Sequence, residues 1–161
     1  MTEDTAAATA VPGESAGSAA PRGTAEPGSV AARESADYVH VRMPAEGAYL
    51  SVLRTATAGL AARLDFTLDE IEDLRIAIDE ACAMLLAQAI PGTDLECDFE
   101  LGADEVTITV SVVAAQARVP ARDTFAWTVL SALAGSVDSR LGPDDRVAIV
   151  LVKRRGASGS G

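Results

Sequence analysis

Residues Leu68–Ala89, LDEIEDLRIAIDEACAMLLAQA, carry the longest uninterrupted helical pattern in the chain. Ile71, Leu74, Ile78, Ala81 and Leu85 recur at spacings of three and four, which makes one apolar stripe. Thr67 stands at the N-cap position and Glu70 three residues later, the pattern of a capping box. Asp69 and Glu70 place negative charge at the positive end of the helix dipole. Pro91-Gly92 stops the pattern. A second row, Asp73, Ala77, Glu80 and Met84, runs down a neighbouring face. A helix with one apolar stripe needs another layer to bury it against.

The flanking sequence supplies that layer. Upstream, Glu46–Leu64 repeats Leu50, Leu53, Thr57, Leu60 and Leu64 at helical spacing, weakened slightly by Gly59. The connector Asp65-Phe66-Thr67 is short, so the two helices form a hairpin, with Phe66 and Ile71 spaced as a hydrophobic staple. Before them, Tyr38–Met43 alternates as a first strand and stops at Pro44. His40 shares a face of that strand with Tyr38 and Arg42, the pattern of a surface residue. Downstream, Leu95–Leu101 alternates apolar and acidic residues, and Val106–Val113 is a β-branched run; together they read as a hairpin. Ala114–Asp123 is irregular. Thr124–Val137 reads as a third helix with Asp123 as its cap, Leu141–Asp145 as a turn and Arg146–Lys153 as a last strand. The order βααββαβ predicts an α+β two-layer sandwich, a mostly antiparallel sheet covered by helices on one face. Residues 37–155 hold this domain, and about 120 residues suffice for one core. Residues 1–36, rich in Ala, Gly, Pro, Ser, Thr and Glu, are expected to be a disordered low-complexity tail, and 156–161, GASGSG, a flexible one.

Bulk composition narrows the function. A net charge of -11 and a pI near 4.4 argue against nucleic acid, since little would neutralise phosphates. An acidic surface serves solubility and steers a basic protein partner. Two cysteines, Cys82 and Cys97, are too few for a disulfide framework and read as small buried apolar residues. A single histidine, His40, argues against a His-based metal site or a Cys-His catalytic pair, so no metal is expected. The N-terminus MTEDTAAATA has acidic residues where a signal peptide needs basic ones, and no apolar run is long enough to span a membrane. A cytoplasmic protein with no membrane association is expected. No P-loop, dinucleotide fingerprint, HExxH motif or cysteine cluster occurs. The ionisable cluster on the long helix reads first as a solvated face, but Glu80 lies between Ile78 and Ala81 in the apolar half. A carboxylate there is a candidate general base.

Taken together, Arg54 in the first helix, the connector Leu64-Asp65-Phe66-Thr67, Asp69-Glu70 and Ile78-Asp79-Glu80-Ala81 resemble the anti-sigma factors of the RsbW and sporulation type. Those are small serine kinases on the histidine-kinase-like (Bergerat, GHKL) ATPase fold. The resemblance is closest to the actinobacterial stress-sigma branch. Its Leu-Arg-x-Ala-x-Asp-Glu-x-Cys pattern is matched by Leu74, Arg75, Ala77, Asp79, Glu80 and Cys82, and its Phe-x-Trp-x-Val-Leu-x-Ala-Leu-Ala pattern by Phe125–Ala134.

The resemblance implies roles residue by residue. Glu80 matches the family's general base. The position of the magnesium-binding asparagine, one turn later, is Met84, whose thioether is a poor ligand for a hard cation. The stretch Val110–Gln116 has neither the aspartate that reads adenine nor its glycine. Thr124-Phe125-Ala126 lacks the glycines of the phosphate lid. Three elements depart together, so Glu80 and Met84 would line a degenerate nucleotide site, no cofactor is expected, and binding of ATP with magnesium is disfavoured. Arg54 matches the arginine with which the family contacts its sigma factor and its antagonist. The expectation is an anti-sigma factor that sequesters an alternative, stress or developmental, sigma factor, is antagonised by a STAS-domain anti-anti-sigma factor, forms a homodimer, and lacks kinase activity. The alternatives are an active serine kinase that phosphorylates the STAS partner with Glu80 as base, and an unrelated α+β binding module.

Overall fold

The computed structural model describes residues 36–156; the expected disorder of the N-terminal tail and flexibility of the C-terminal tail fall, but for their innermost residues, outside the described residues. Five strands and three α-helices follow in the order β1 (Asp37–Pro44), α1 (Leu50–Arg63, entered through a 3-10 turn at Gly47–Tyr49), α2 (Leu68–Leu86), β2 (Asp94–Leu101), β3 (Glu105–Val113), α3 (Phe125–Ala134), β4 (Ser136–Leu141) and β5 (Arg146–Arg154). The strands form one antiparallel sheet in the order β1-β2-β3-β5-β4. This is the expected α+β sandwich with one strand more than the sequence pattern indicated.

The capping box is present: Thr67 N–H donates to Glu70 Oε2 at 2.8 Å and Glu70 N–H donates to Thr67 Oγ1 at 3.2 Å. Leu74, Ile78, Ala81 and Leu85 of the α2 stripe are fully buried, and Ile71 packs partly buried at the margin. From α1, Leu53, Thr57 and Ala61 reach the same core, and the Thr57 hydroxyl is satisfied by donating to Leu53 O at 2.8 Å. The sheet answers with Cys97 and Phe99 of β2, Ile108 and Val110 of β3, and Ile149 and Leu151 of β5, which share the inner face by register. Both cysteines are free and buried. Burial pushes the Cys82 thiol up to about 12 and the Cys97 thiol well above its usual range, so both are inert apolar fillers at neutral pH.

Along β1 and β2 the opposite sheet face is polar, whereas on β5 it carries Ala148, Val150 and Val152. Tyr38, His40 and Arg42 oppose Glu100, Asp98 and Glu96 across β1 and β2. His40 Nδ1 lies 2.6 Å from Asp98 Oδ1, and the Tyr38 hydroxyl donates to the same oxygen, which raises the Tyr38 pKa. His40 is thus the exposed strand residue its alternation indicated.

Two boundaries differ from expectation. The third helix ends at Ala134, not Val137, because Gly135 turns the chain at φ 74°, in the left-handed region. Ser136–Leu141 then forms edge strand β4, and Asp144 and Asp145, at φ 58° and 57°, close a tight hairpin of type I′ character onto β5. The cap of α3 is Thr124 rather than Asp123: the Thr124 hydroxyl accepts the Trp127 N–H at 3.2 Å. The chain end closes on the helix hairpin, with Arg155 Nη1 donating to Leu64 O at 3.2 Å and Gly156 N–H donating to Glu70 Oε1 at 2.7 Å.

Candidate functional site

Two places on the helix layer hold Arg54 and Met84, two of the residues singled out by sequence. The first is the seam between α1 and α2. Arg54 projects from α1 and Asp79 from α2, both half-buried. Arg54 Nε and Nη2 each donate to Asp79 Oδ1 at 3.1 Å, and Nη2 lies 3.0 Å from Oδ2. This contact uses the Nε–Nη2 edge of the guanidinium and leaves Nη1 without a partner among the described residues. Arg54 is therefore an oriented donor group, not a freely snorkelling side chain. The pair adds only about 0–1 kcal/mol to stability at this degree of exposure. Beside it, α1 presents Val52, 54% exposed, with Ser51, Thr55 and Ala56 around a shallow depression, and Tyr49 stands exposed at the start of the helix.

The second place is the C-terminal end of α2, where the resemblance puts the nucleotide. A groove of about 540 Å³ opens there between the helix end and the 115–120 loop. Met84 lines it, together with Ala87, Ala115, Val119 and Pro120. Its lining contains no aspartate, glutamate, asparagine or glycine; the polar members are Gln88, Gln116 and Arg118. Gln88 fixes the loop as a strand neighbour would: its Nε2 donates to Arg118 O at 3.0 Å and its Oε1 accepts the Arg118 N–H at 3.1 Å.

Glu80 and Met84 are not brought together as walls of one pocket. Glu80 is half-buried on α2 outside the groove, with no hydrogen-bond or ion-pair partner among the described residues. Asp73, from the same row, lies 3.8 Å from Lys153 Nζ of β5, and Ala77 is completely buried. The row that sequence reading placed along a single pocket is thus divided: an ion pair at one end, core in the middle and an apolar groove wall at the other. Among the described residues no group of three or more His, Cys, Asp or Glu side chains is arranged to hold a metal. Phe125 sits at the first position of α3 with 84% of its surface exposed, where a phosphate lid would need glycine.

Asp79, Gln88 and Arg118 escaped the sequence reading as site residues. Asp79 read as one acid among several, and nothing in a separation of 25 residues fixes the register of two packed helices. Gln88 and Arg118 meet only because the loop after β3 folds back over the end of α2.

No protein-family model matches the chain. It is 40% identical over 57 residues to the serine-protein kinase RsbW of Bacillus subtilis, covering 35% of this chain and 36% of that protein. It is 34% identical over 90 residues to the anti-sigma-F factor RsbW of Mycobacterium tuberculosis, covering 56% and 54% respectively. With the serine-protein kinase RsbW of Bacillus cereus it shares 29% identity over 112 residues, 70% of this chain and 62% of the other. The chain thus spans from about a third to just over three-fifths of the length of these curated relatives. Among solved structures, one of the RsbU and RsbW domains of a Mycobacterium tuberculosis protein aligns with a TM-score of 0.55 at 14% identity, covering 74% of this chain and 32% of that one. At that identity the likeness shows the fold.

Proposed function

We propose that this chain, related in sequence to RsbW proteins and sharing the histidine-kinase-like α+β fold, is an anti-sigma factor that works without phosphorylating its antagonist. It binds and sequesters an alternative sigma factor in the cytoplasm as a homodimer, and a STAS-domain protein releases the sigma factor by competing for the same surface. The observation that carries this reading is the contrast between the two places on the helix layer. Arg54, at the position the family uses for partner contact, is held in a bidentate contact that leaves its Nη1 without a partner among the described residues. Met84 stands where the family places its magnesium ligand, in a groove whose lining offers no carboxylate or glycine. Phosphoryl transfer depends on positioned metal and phosphate contacts, and this groove has no carboxylate to hold the metal and no glycine to let backbone N–H groups approach phosphate. Binding a sigma factor needs only a complementary surface. The acidic chain, with 24 Asp and Glu against 13 Lys and Arg, speeds encounter with a basic partner.

The test is affinity purification of the full chain from its native organism in a chelator with ATP depleted, followed by identification of bound sigma and STAS proteins. A sigma factor that co-purifies under those conditions supports the reading. Retention only with magnesium and ATP, or no sigma partner at all, contradicts it. Incubation with labelled ATP and the recovered STAS protein separates the kinase alternative: transfer that disappears in Glu80→Gln would establish it.

A further inference from the structure

Every described arginine and lysine except Arg118 and Arg140 lies against a carboxylate. In a chain of net charge -11, an unneutralised arginine is a departure from the general pattern. Arg140 stands exposed on edge strand β4. Arg118 stands on the wall of the groove at the end of α2. Among the described residues, the only side-chain contact of its guanidinium is with a neutral amide, Gln116 Oε1, at 3.4 Å. Nothing acidic lines that groove.

Apart from Gln88 and Gln116, whose amides bond to Arg118, the rest of the wall is apolar and adaptable. Met84 is an unbranched thioether that reshapes to fit irregular ligands, and Ala87, Ala115, Val119 and Pro120 offer neither charge nor strong donors. The volume of about 540 Å³ falls in the ordinary range for small-molecule pockets. The paired Gln88–Arg118 hydrogen bonds hold the backbone of the loop against α2, so the groove is formed before a ligand arrives.

We infer that this groove binds a small organic anion with an apolar body and a single carboxylate, the Arg118 guanidinium taking the carboxylate and the Met84–Val119 wall taking the chain. One arginine matches one carboxylate in a charge-assisted, two-point contact. A triphosphate brings several charges and a hard metal ion, for which this wall has no further cation and no carboxylate, and the Gln88 and Gln116 amide oxygens already accept from Arg118. The inference needs no sigma partner, and shares with the proposed function only the reading that this groove does not take magnesium-ATP.

Decanoate is the probe, titrated calorimetrically into the full chain, with displacement of the fluorescent apolar anion 1-anilinonaphthalene-8-sulfonate as a second readout. Saturable binding at one site per chain is expected. Arg118→Glu weakens it by at least about tenfold, the effect of roughly one lost charge-assisted contact. Val119→Asp weakens it comparably. Arg118 and Val119 are exposed, so both variants keep the wild-type unfolding transition. Arg140→Glu, which removes the other unpaired arginine, leaves binding unchanged. Absence of saturable binding, insensitivity to Arg118→Glu, an equal loss in Arg140→Glu, or displacement of decanoate by magnesium-ATP each overturns the inference.

Discussion

At the seam with α1, the long helix α2 offers Asp79, which grips the Arg54 guanidinium through two of its nitrogens. At its C-terminal end the same helix offers Met84 and Ala87 to a groove free of acids. One region is organised around an oriented ion pair; the other is a groove walled by Met84, Ala87, Ala115, Val119 and Pro120, with Gln88, Gln116 and Arg118 as its polar members. Both rest on the same buried stripe of Leu74, Ile78, Ala81 and Leu85. The buried stripe and the groove wall occupy different faces of the helix, so the residues of the groove can change while the scaffold stays intact. Fold alone does not carry activity across such a change.

That contrast is open to attack in several ways. The strongest perturbations act on what the two regions share. Leu74→Ala, near the Arg54–Asp79 seam, and Leu85→Ala, near the groove, each remove a fully buried side chain. Each is expected to cost about 2–5 kcal/mol in denaturant unfolding. A large cost at one end and almost none at the other would mean that the scaffold is itself divided. Next in size is the effect on partner binding. Arg54→Ala is expected to weaken capture of a sigma factor by at least about tenfold, because an arginine at a partner surface commonly anchors it. Met84→Ala should leave capture within about twofold, and equal losses in the two variants would erase the distinction between the regions.

Smaller effects concern the start of α2. Thr67→Ala removes a cap whose hydroxyl accepts the Glu70 N–H, and about 1 kcal/mol of stability should go with it. The carboxylate on the other half of that box gives a pH dependence of definite sign. Hydrogen bonds from the Thr67 and Gly156 backbone hold the Glu70 pKa below its ordinary value of 4.5. The folded state thus binds fewer protons than the unfolded state, so this contribution is complete above pH 4.5 and is lost as the pH falls through the folded value. Asp138, lowered by the Ser139 backbone N–H and by Arg122, acts in the same direction. Urea unfolding across this acid range should show a shallower loss in Glu70→Gln than in the unsubstituted chain.

Where hydrophobic period and caps agree, the sequence was a sufficient guide. The stripe of α2, its Thr67–Glu70 box and the β2–β3 hairpin could all be read directly, since each is a local pattern of burial or hydrogen bonding. Edge strand β4 could not. Ser136-Val137-Asp138-Ser139-Arg140-Leu141 lacks strong apolar alternation, and Val137 continued the spacing of Val129 and Leu133 past the true end of α3. Gly135 was the available stop signal. The departures from the family pattern at Met84 and Phe125 could be read from the sequence, because a missing residue type shows in one dimension. The actual geometry of the candidate site could not. Glu80 and Met84 share a helical row yet face different surroundings, and the Arg54–Asp79 and Gln88–Arg118 contacts depend on how helices and a loop are brought together in space.

The most direct test of the account is the affinity of the purified chain for a sigma factor recovered with it, measured by titration with and without magnesium-ATP. An affinity that stays the same within about twofold is the predicted result, since the partner surface and the altered groove act separately. A tightening of tenfold or more on adding magnesium-ATP would contradict it, and would mean that the groove at Met84 still governs the surface at Arg54.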